Sequence, residues 1–160
     1  MADPHIVTPG HAPTPFTAAE IRGGCPAGRT IRLLVEPAGE PPFVREIRFL
    51  TSTEEWAEQS SDRLALDGTV VEHGEPERVG WDRLQAHASF PREAVAITSE
   101  SVTIHAGEFA CLLYVVTDDE SVSRYWFARD LPGMPVKVET RVADAVVFTM
   151  TMLENVIRPD

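Results

Sequence analysis

Four apolar-rich runs follow one another in the last third of the chain, with only short breaks between them. The longest break is Asp130-Leu131-Pro132-Gly133-Met134, and the other two contain mainly acidic or small residues, which are typical of turns. Turns this short join antiparallel strands, whereas parallel strands need long crossovers. The pattern therefore predicts an antiparallel meander, made of the runs FACLLYVVT, SVSRYWFA, PVKVETRV and AVVFTMTML.

Two of these runs indicate how the sheet is covered. Lys137, Glu139 and Arg141 alternate with apolar residues, which is typical of a strand with one solvent-facing side. The last run is apolar at both odd and even positions, so it predicts a central strand or one covered on both faces.

Further strands and two helices are predicted before the meander. Thr17 and Glu20 form a capping-box pattern that opens a short helix ended by Gly23-Gly24. The stretch from Trp81 to Ser89 has apolar residues at helical spacing and predicts the clearest helix. Asp67-Gly68 predicts a tight hairpin. Strands are predicted at 30–36, 43–50 and, more weakly, 54–66, followed by TVVEHG and the two short strands AVAIT and SVTIH.

The number of strands predicts the fold class. Nine or ten strands with so little helix are too many for a flat open sheet, so the sheet should curl. We expect a mainly β protein, with a curved antiparallel meander forming a barrel or half-barrel and one or two short helices. Residues 1–15 are rich in proline and predict a disordered N-terminal tail, and residues 16–158 predict a single β-barrel or half-barrel domain.

Charge and composition argue against several partners and locations. The net charge of −11 disfavours nucleic acid, because phosphate backbones repel an acidic surface. No apolar run is long enough to insert into a membrane. The N-terminus lacks the basic and apolar regions of a secretory signal, so a cytoplasmic location is expected.

Known catalytic and metal motifs are absent, and the sequence predicts neither a metal nor a cofactor. The spacing of Glu72, His73 and Glu75 matches no zinc site and fits a solvated hairpin. His87 falls away from the apolar side of its helix and is expected at the surface. A dyad of Cys25 with a histidine stays open, since pairing cannot be seen in sequence.

Candidate ligand-binding residues come from strand alternation and from the aromatic run. Arg45 shares a strand face with apolar residues, so it must be paired, reach water or meet an anionic ligand. Tyr125 and Trp126 point to opposite faces, and Tyr125 is favoured for the interior because a phenol can also orient a ligand. The candidate ligand-binding residues are Arg45, Trp81, Tyr125, Trp126, Phe148 and Met150.

The stretch HAGEFACLLYVVTDDESVSRYWFARDLPGMPVKVE resembles uncharacterised β-rich bacterial families. A G-x-F before a strand, an aromatic strand ending in W-F-A, and a D-L-P-G turn into P-V-x-V-E carry the resemblance, over roughly residues 105–153. These families look like relatives of the lipoprotein-carrier (LolA-like) half-barrels. The resemblance implies a curved antiparallel sheet that wraps helices and encloses an apolar cavity for acyl chains, and it implies no specific site residue.

Three functional hypotheses follow. The first is a soluble protein that binds a small hydrophobic or amphipathic molecule in the concave face of the sheet, with Arg45 meeting an acidic head group. The second is a metal-independent isomerase, cyclase or lyase that acts on a hydrophobic metabolite in the same cavity. The third is an interaction module that forms a homodimer through an exposed sheet edge and has no cavity.

Overall fold

The structure is a computed structural model that describes residues 3–158, and most of these residues lie in strands. Two short helices, α1 (Ala18–Gly24) and α2 (Trp81–Ala86), accompany the sheet. The ten strands of the described residues are β1 (Arg29–Pro37), β2 (Phe43–Ser52), β3 (Trp56–Leu64), β4 (Val70–Glu72), β5 (Glu77–Gly80), β6 (Val95–Ile104), β7 (Gly107–Thr117), β8 (Ser121–Ala128), β9 (Lys137–Val142) and β10 (Ala145–Ile157). The predicted fold class, mainly β with two short helices, is confirmed.

All strand pairs are antiparallel and form one curved sheet in the order β4-β3-β2-β1-β10-β9-β8-β7-β6, with β5 also paired to β3. β4 and β6 lie at the two ends of this order, so the sheet is an open half-barrel and not a closed barrel. β10 lies between β1 and β9 and joins the two halves of the sheet. The sequence predicted this central position, although Met152 is the one residue of β10 that is fully buried.

One predicted pair of strands is a single strand in the structure. β6 pairs with β7 without interruption, from Val95 opposite Val116 to Ile104 opposite Gly107. The prediction of two short strands was wrong, because Ser99 and Glu100, which separate the two predicted runs, pair with Leu112 and Cys111. A serine in an edge strand keeps its backbone hydrogen bonds when the partner strand continues past it.

The first helix forms as its sequence predicts. The Thr17 side chain accepts a hydrogen bond from the Glu20 backbone N–H, and the Glu20 carboxylate accepts one from the Thr17 N–H. This reciprocal cap satisfies two of the N–H groups that a helix N-terminus leaves unpaired. Ile21 is thereby held facing the sheet, where it is 4% exposed.

Glu46 is a buried carboxylate on the convex face of the sheet. Glu46 on β2 accepts hydrogen bonds from Arg32 Nε and Arg48 Nε, each at 2.7 Å. Burial alone raises the pKa of the Glu46 carboxyl, but the hydrogen bonds and charges of the two arginines outweigh it, so its pKa is lowered. Glu46 is therefore ionised at neutral pH and holds β1 and β2 together through charge-assisted hydrogen bonds.

Residues 3–15 pack against the domain, whereas the sequence predicted a disordered tail over residues 1–15. Ala12, Thr14 and Phe16 are buried, and the Tyr114 hydroxyl donates a 2.7 Å hydrogen bond to the Pro13 carbonyl. Burial raises the pKa of Tyr114 to about 12, so this donor keeps its proton. The prolines lack N–H donors, but the carbonyls of Pro4 and Pro13 accept hydrogen bonds. A high proline content alone does not predict these bonds. Residues 1 and 2 of the predicted tail lie outside the described residues.

Gln85 of α2 fixes the same segment to the helices. Its amide oxygen accepts a hydrogen bond from the Ala18 N–H at 2.9 Å. Its amide nitrogen donates to the Pro4 carbonyl at 2.8 Å and to the Thr14 hydroxyl at 3.0 Å. A single buried side chain thus connects α1, α2 and the N-terminal segment.

Candidate ligand-binding cavity

A cavity of about 520 Å³ lies between the concave face of the sheet and the two helices. Ile21 of α1 and Leu84 of α2 form part of its roof, together with the loop after α2 and the turn before β9. Strands β1, β2, β3, β8, β9 and β10 supply the opposite wall, which is mainly apolar. The volume falls within the range of about 300–1,000 Å³ that is usual for small-molecule sites.

The register of the central strands explains why this wall is continuous. Val138 on β9 lies directly opposite Tyr125 on β8 and Met150 on β10. Residues directly opposite one another in an antiparallel sheet point to the same face. The same alternation brings Ile31 and Ile47 together from β1 and β2, and all five side chains line the cavity.

Three of the six predicted ligand-binding residues line this cavity: Tyr125, Phe148 and Met150. The Tyr125 ring stacks on Phe90 and on Phe127, with ring centroids 5.7 Å and 6.3 Å apart. The three rings form one aromatic side of the cavity, since Phe90 and Phe127 line it as well.

The two predicted tryptophans lie elsewhere. Trp126 is on the opposite face of β8 from Tyr125, where its indole N–H donates a 2.7 Å hydrogen bond to Glu100 and its ring contacts Lys137. Trp81 is 3% exposed in the core at the start of α2, and its indole N–H donates to the Thr53 carbonyl. Neither tryptophan lines the cavity, and both indole N–H groups are hydrogen-bonded to protein groups.

Arg45 also lies away from the cavity, although its strand neighbours Ile47 and Phe49 line it. Its Nη1 donates a 2.9 Å hydrogen bond to the Ser61 hydroxyl, and its guanidinium lies over the Phe43 ring. It is half-buried and directly opposite Arg63 on β3. The arginine therefore lies farther along the same strand than the cavity extends.

A different arginine, Arg29 at the start of β1, lines the cavity and is 1% exposed. Its Nε donates to the Asn155 amide oxygen at 2.8 Å. Its Nη1 donates to the carbonyls of Gly24 at 3.0 Å and Pro132 at 2.9 Å. Its Nη2 has no hydrogen-bond partner among residues 3–158. No carboxylate of the described residues forms a salt bridge with this buried charge.

The backbone at Gly133 lies close to the Arg29 guanidinium. Gly133 has φ +127°, and a Cβ there would lie 3.3 Å from Arg29 Nη1. Arg29 Nη1 also lies 3.0 Å from the sulfur of Cys25. Burial raises the pKa of the Cys25 thiol, although the charge and hydrogen bond of Arg29 act in the opposite direction. The thiol is therefore neutral at pH 7 and does not compensate the guanidinium charge.

Other polar side chains on the cavity wall are few. They are Gln59, His87 and Thr140. His87 caps the C-terminus of α2 and is exposed, as the sequence predicted, yet it also contributes to the rim. Within residues 3–158 there is no group of three or more His, Cys, Asp or Glu side chains arranged to hold a metal ion.

Arg29 was missed in the sequence because β1 was predicted to begin at Thr30. Starting the strand one residue earlier places Arg29 on the same alternating face as Ile31, Leu33 and Val35, which are all buried. The same pattern, an arginine on the apolar face of a strand, made Arg45 on β2 a candidate. The alternation identified the right kind of residue, but it could not show which of the two strand positions borders the cavity.

Comparisons with known proteins support the fold. No family model and no curated protein matches the chain. A solved protein from Bacteroides fragilis NCTC 9343 with a YmcC-like fold matches at 10% identity and a TM-score of 0.51, covering 82% of this chain and 98% of that protein. MucB, solved in complex with MucA(peri), matches at 12% identity and a TM-score of 0.59, covering 86% of this chain and 52% of MucB.

These likenesses are in keeping with a β-rich, LolA-like fold, as the sequence resemblance implied. At such low identities they show the fold alone, and the chain spans about half of MucB. No helix among the described residues has the length and apolar character needed to cross a membrane.

Proposed function

We propose that the protein binds a small apolar or amphipathic molecule in the cavity between the concave sheet and the helices. The observation that carries this proposal is the cavity itself, which has a volume of about 520 Å³ and mainly apolar walls. Most apolar side chains of a small domain pack against one another without voids of this size. A preformed apolar cavity with a few polar groups is the usual form of a small-molecule site.

The adaptability of the walls also supports the proposal. Met134 and Met150 lie on the cavity wall beside the aromatic side formed by Phe90, Tyr125 and Phe127. Methionine side chains are unbranched and polarisable, and they adjust to ligands of different shape. The enzyme and homodimer hypotheses stay predictions, because no contact in the structure tests them.

Titration with N-phenyl-1-naphthylamine, a neutral dye that fluoresces in apolar surroundings, tests the proposal. We expect saturable binding of one dye per chain. Ala88→Trp should weaken binding at least about tenfold, because Ala88 lines the cavity and an indole there occupies ligand space. Ala86→Trp is the matched control, since Ala86 is exposed at the end of α2, two residues before Ala88.

Circular dichroism and thermal melting should establish that both variants fold. Absence of saturable dye binding to the wild-type protein would refute the proposed function. Equal binding by folded Ala88→Trp and Ala86→Trp would refute the assignment to this cavity.

A further inference from the structure

The most unusual polar group in the described part of the chain is the Arg29 guanidinium. It is 1% exposed, and it is surrounded by neutral groups: an amide oxygen, two backbone carbonyls and a thiol. Burying a charge without an opposite charge is costly, and buried arginines are normally paired. One of its nitrogens, Nη2, has no hydrogen-bond partner among residues 3–158.

We propose that the ligand carries a single carboxylate, which accepts a hydrogen bond from Arg29 Nη2 while the apolar part of the ligand fills the cavity. This inference rests on the proposed function, since it names the class of ligand that the same cavity binds. A monocarboxylic acid with an aliphatic or aromatic body matches both observations, the apolar wall and the one uncompensated positive charge.

The hydrogen-bond count favours one carboxylate over other acceptors. A neutral carbonyl would satisfy Nη2 but leave the charge of Arg29 uncompensated. A phosphate would bring more charge and more acceptor oxygens than the remaining donor can serve, because Nε and Nη1 already donate to protein groups. A carboxylate balances the single guanidinium charge.

The position of Arg29 also defines how the head group would enter. Cys25 and Gly133 line the cavity and lie against Arg29 Nη1. Since Arg29 is 1% exposed and Pro132 and Gly133 lie against its Nη1, the proposal requires this turn to move when the head group binds. The turn contacts Gly24 at the end of α1, and Arg29 pairs with Ile157, whereas Phe148 lies nine residues away along β10. The apolar body of the ligand therefore extends from Arg29 toward Phe148.

The test is competition between laurate and dodecan-1-ol, which have the same chain length and differ in charge, for the cavity-bound naphthylamine dye. We expect laurate to displace the dye from the wild-type protein at a concentration at least about tenfold lower than dodecan-1-ol, the effect of one hydrogen bond to a charged group. Arg29→Met should abolish this preference and still bind dodecan-1-ol. Arg45→Met is the matched control, an arginine on the same side of the sheet but outside the cavity, and it should keep the preference.

The outcomes separate this inference from the proposed function. If the dye binds and wild-type protein shows no preference for laurate, the carboxylate proposal is refuted while the cavity remains a binding site. If the dye does not bind to the wild-type protein, both proposals are refuted. Loss of the preference in Arg45→Met with retention in Arg29→Met would assign the head group to Arg45 and overturn the role of Arg29.

A second measurement avoids dependence on the folding of Arg29→Met. In wild-type protein labelled with ¹⁵N-arginine, the guanidinium signals of buried Arg29 should shift on addition of laurate and stay unchanged on addition of dodecan-1-ol. Equal shifts with both compounds, or none with either, would refute contact between Arg29 and the carboxylate.

Discussion

Gln85→Met tests how the N-terminal segment is held. Gln85 is 7% exposed and makes three hydrogen bonds, to the Ala18 N–H, the Pro4 carbonyl and the Thr14 hydroxyl. Methionine has a similar length and removes all three. At about 1 kcal/mol for each bond, the variant should lose about 3 kcal/mol of unfolding free energy. For a domain of this size that corresponds to a fall in Tm of roughly 6–12 °C.

The assay is urea denaturation of the wild-type and variant proteins, followed by circular dichroism. Arg83→Met on the exposed side of the same helix is the matched control and should change stability by less than about 0.5 kcal/mol. Limited proteolysis supplies a second readout, because the segment before Phe16 should become cleavable in Gln85→Met. A loss below about 0.5 kcal/mol in Gln85→Met, with the segment still protected, would refute the argument that these bonds anchor it.

Two further predictions concern stability. The pKa of Glu46 is lowered in the folded protein, so its contribution is complete above its usual value of about 4.5 and is lost as the pH falls through the folded value. Urea titrations at a series of acidic pH values should show a shallower loss of stability for Glu46→Gln than for wild type, and parallel curves would contradict this. Gly28→Ala should destabilise at least about 2 kcal/mol more than Gly39→Ala, because both have positive φ but only at Gly28 would a Cβ lie 2.1 Å from the Arg158 carbonyl oxygen. Similar unfolding free energies for the two variants would exclude this steric cause.

Much of the fold could be predicted from alternation and turn chemistry. The capping box at Thr17, the meander after Gly107 and the central position of β10 all depend on local patterns, which the sequence carries directly. The packing of residues 3–16 could not be predicted in this way. It depends on Gln85 and Tyr114, which are distant in sequence and reach carbonyl groups that every residue possesses.

The site was predictable only in part, for a related reason. Alternation identifies which face a side chain takes, and Tyr125, Phe148 and Met150 indeed line the cavity. Where the cavity ends along each strand depends on the helices and turns that cover the sheet. Arg29 lies inside this boundary and Arg45 lies outside it, and no local sequence pattern encodes the difference.

Co-crystallisation with 12-bromododecanoate tests the central claim most directly, because bromine can be located by its anomalous scattering. We expect a single bromine site inside the cavity, among side chains such as Leu84, Tyr125 and Met150. Bromine bound only outside this cavity, or a complex that does not form at saturating ligand, would contradict the claim that the concave face is a binding site.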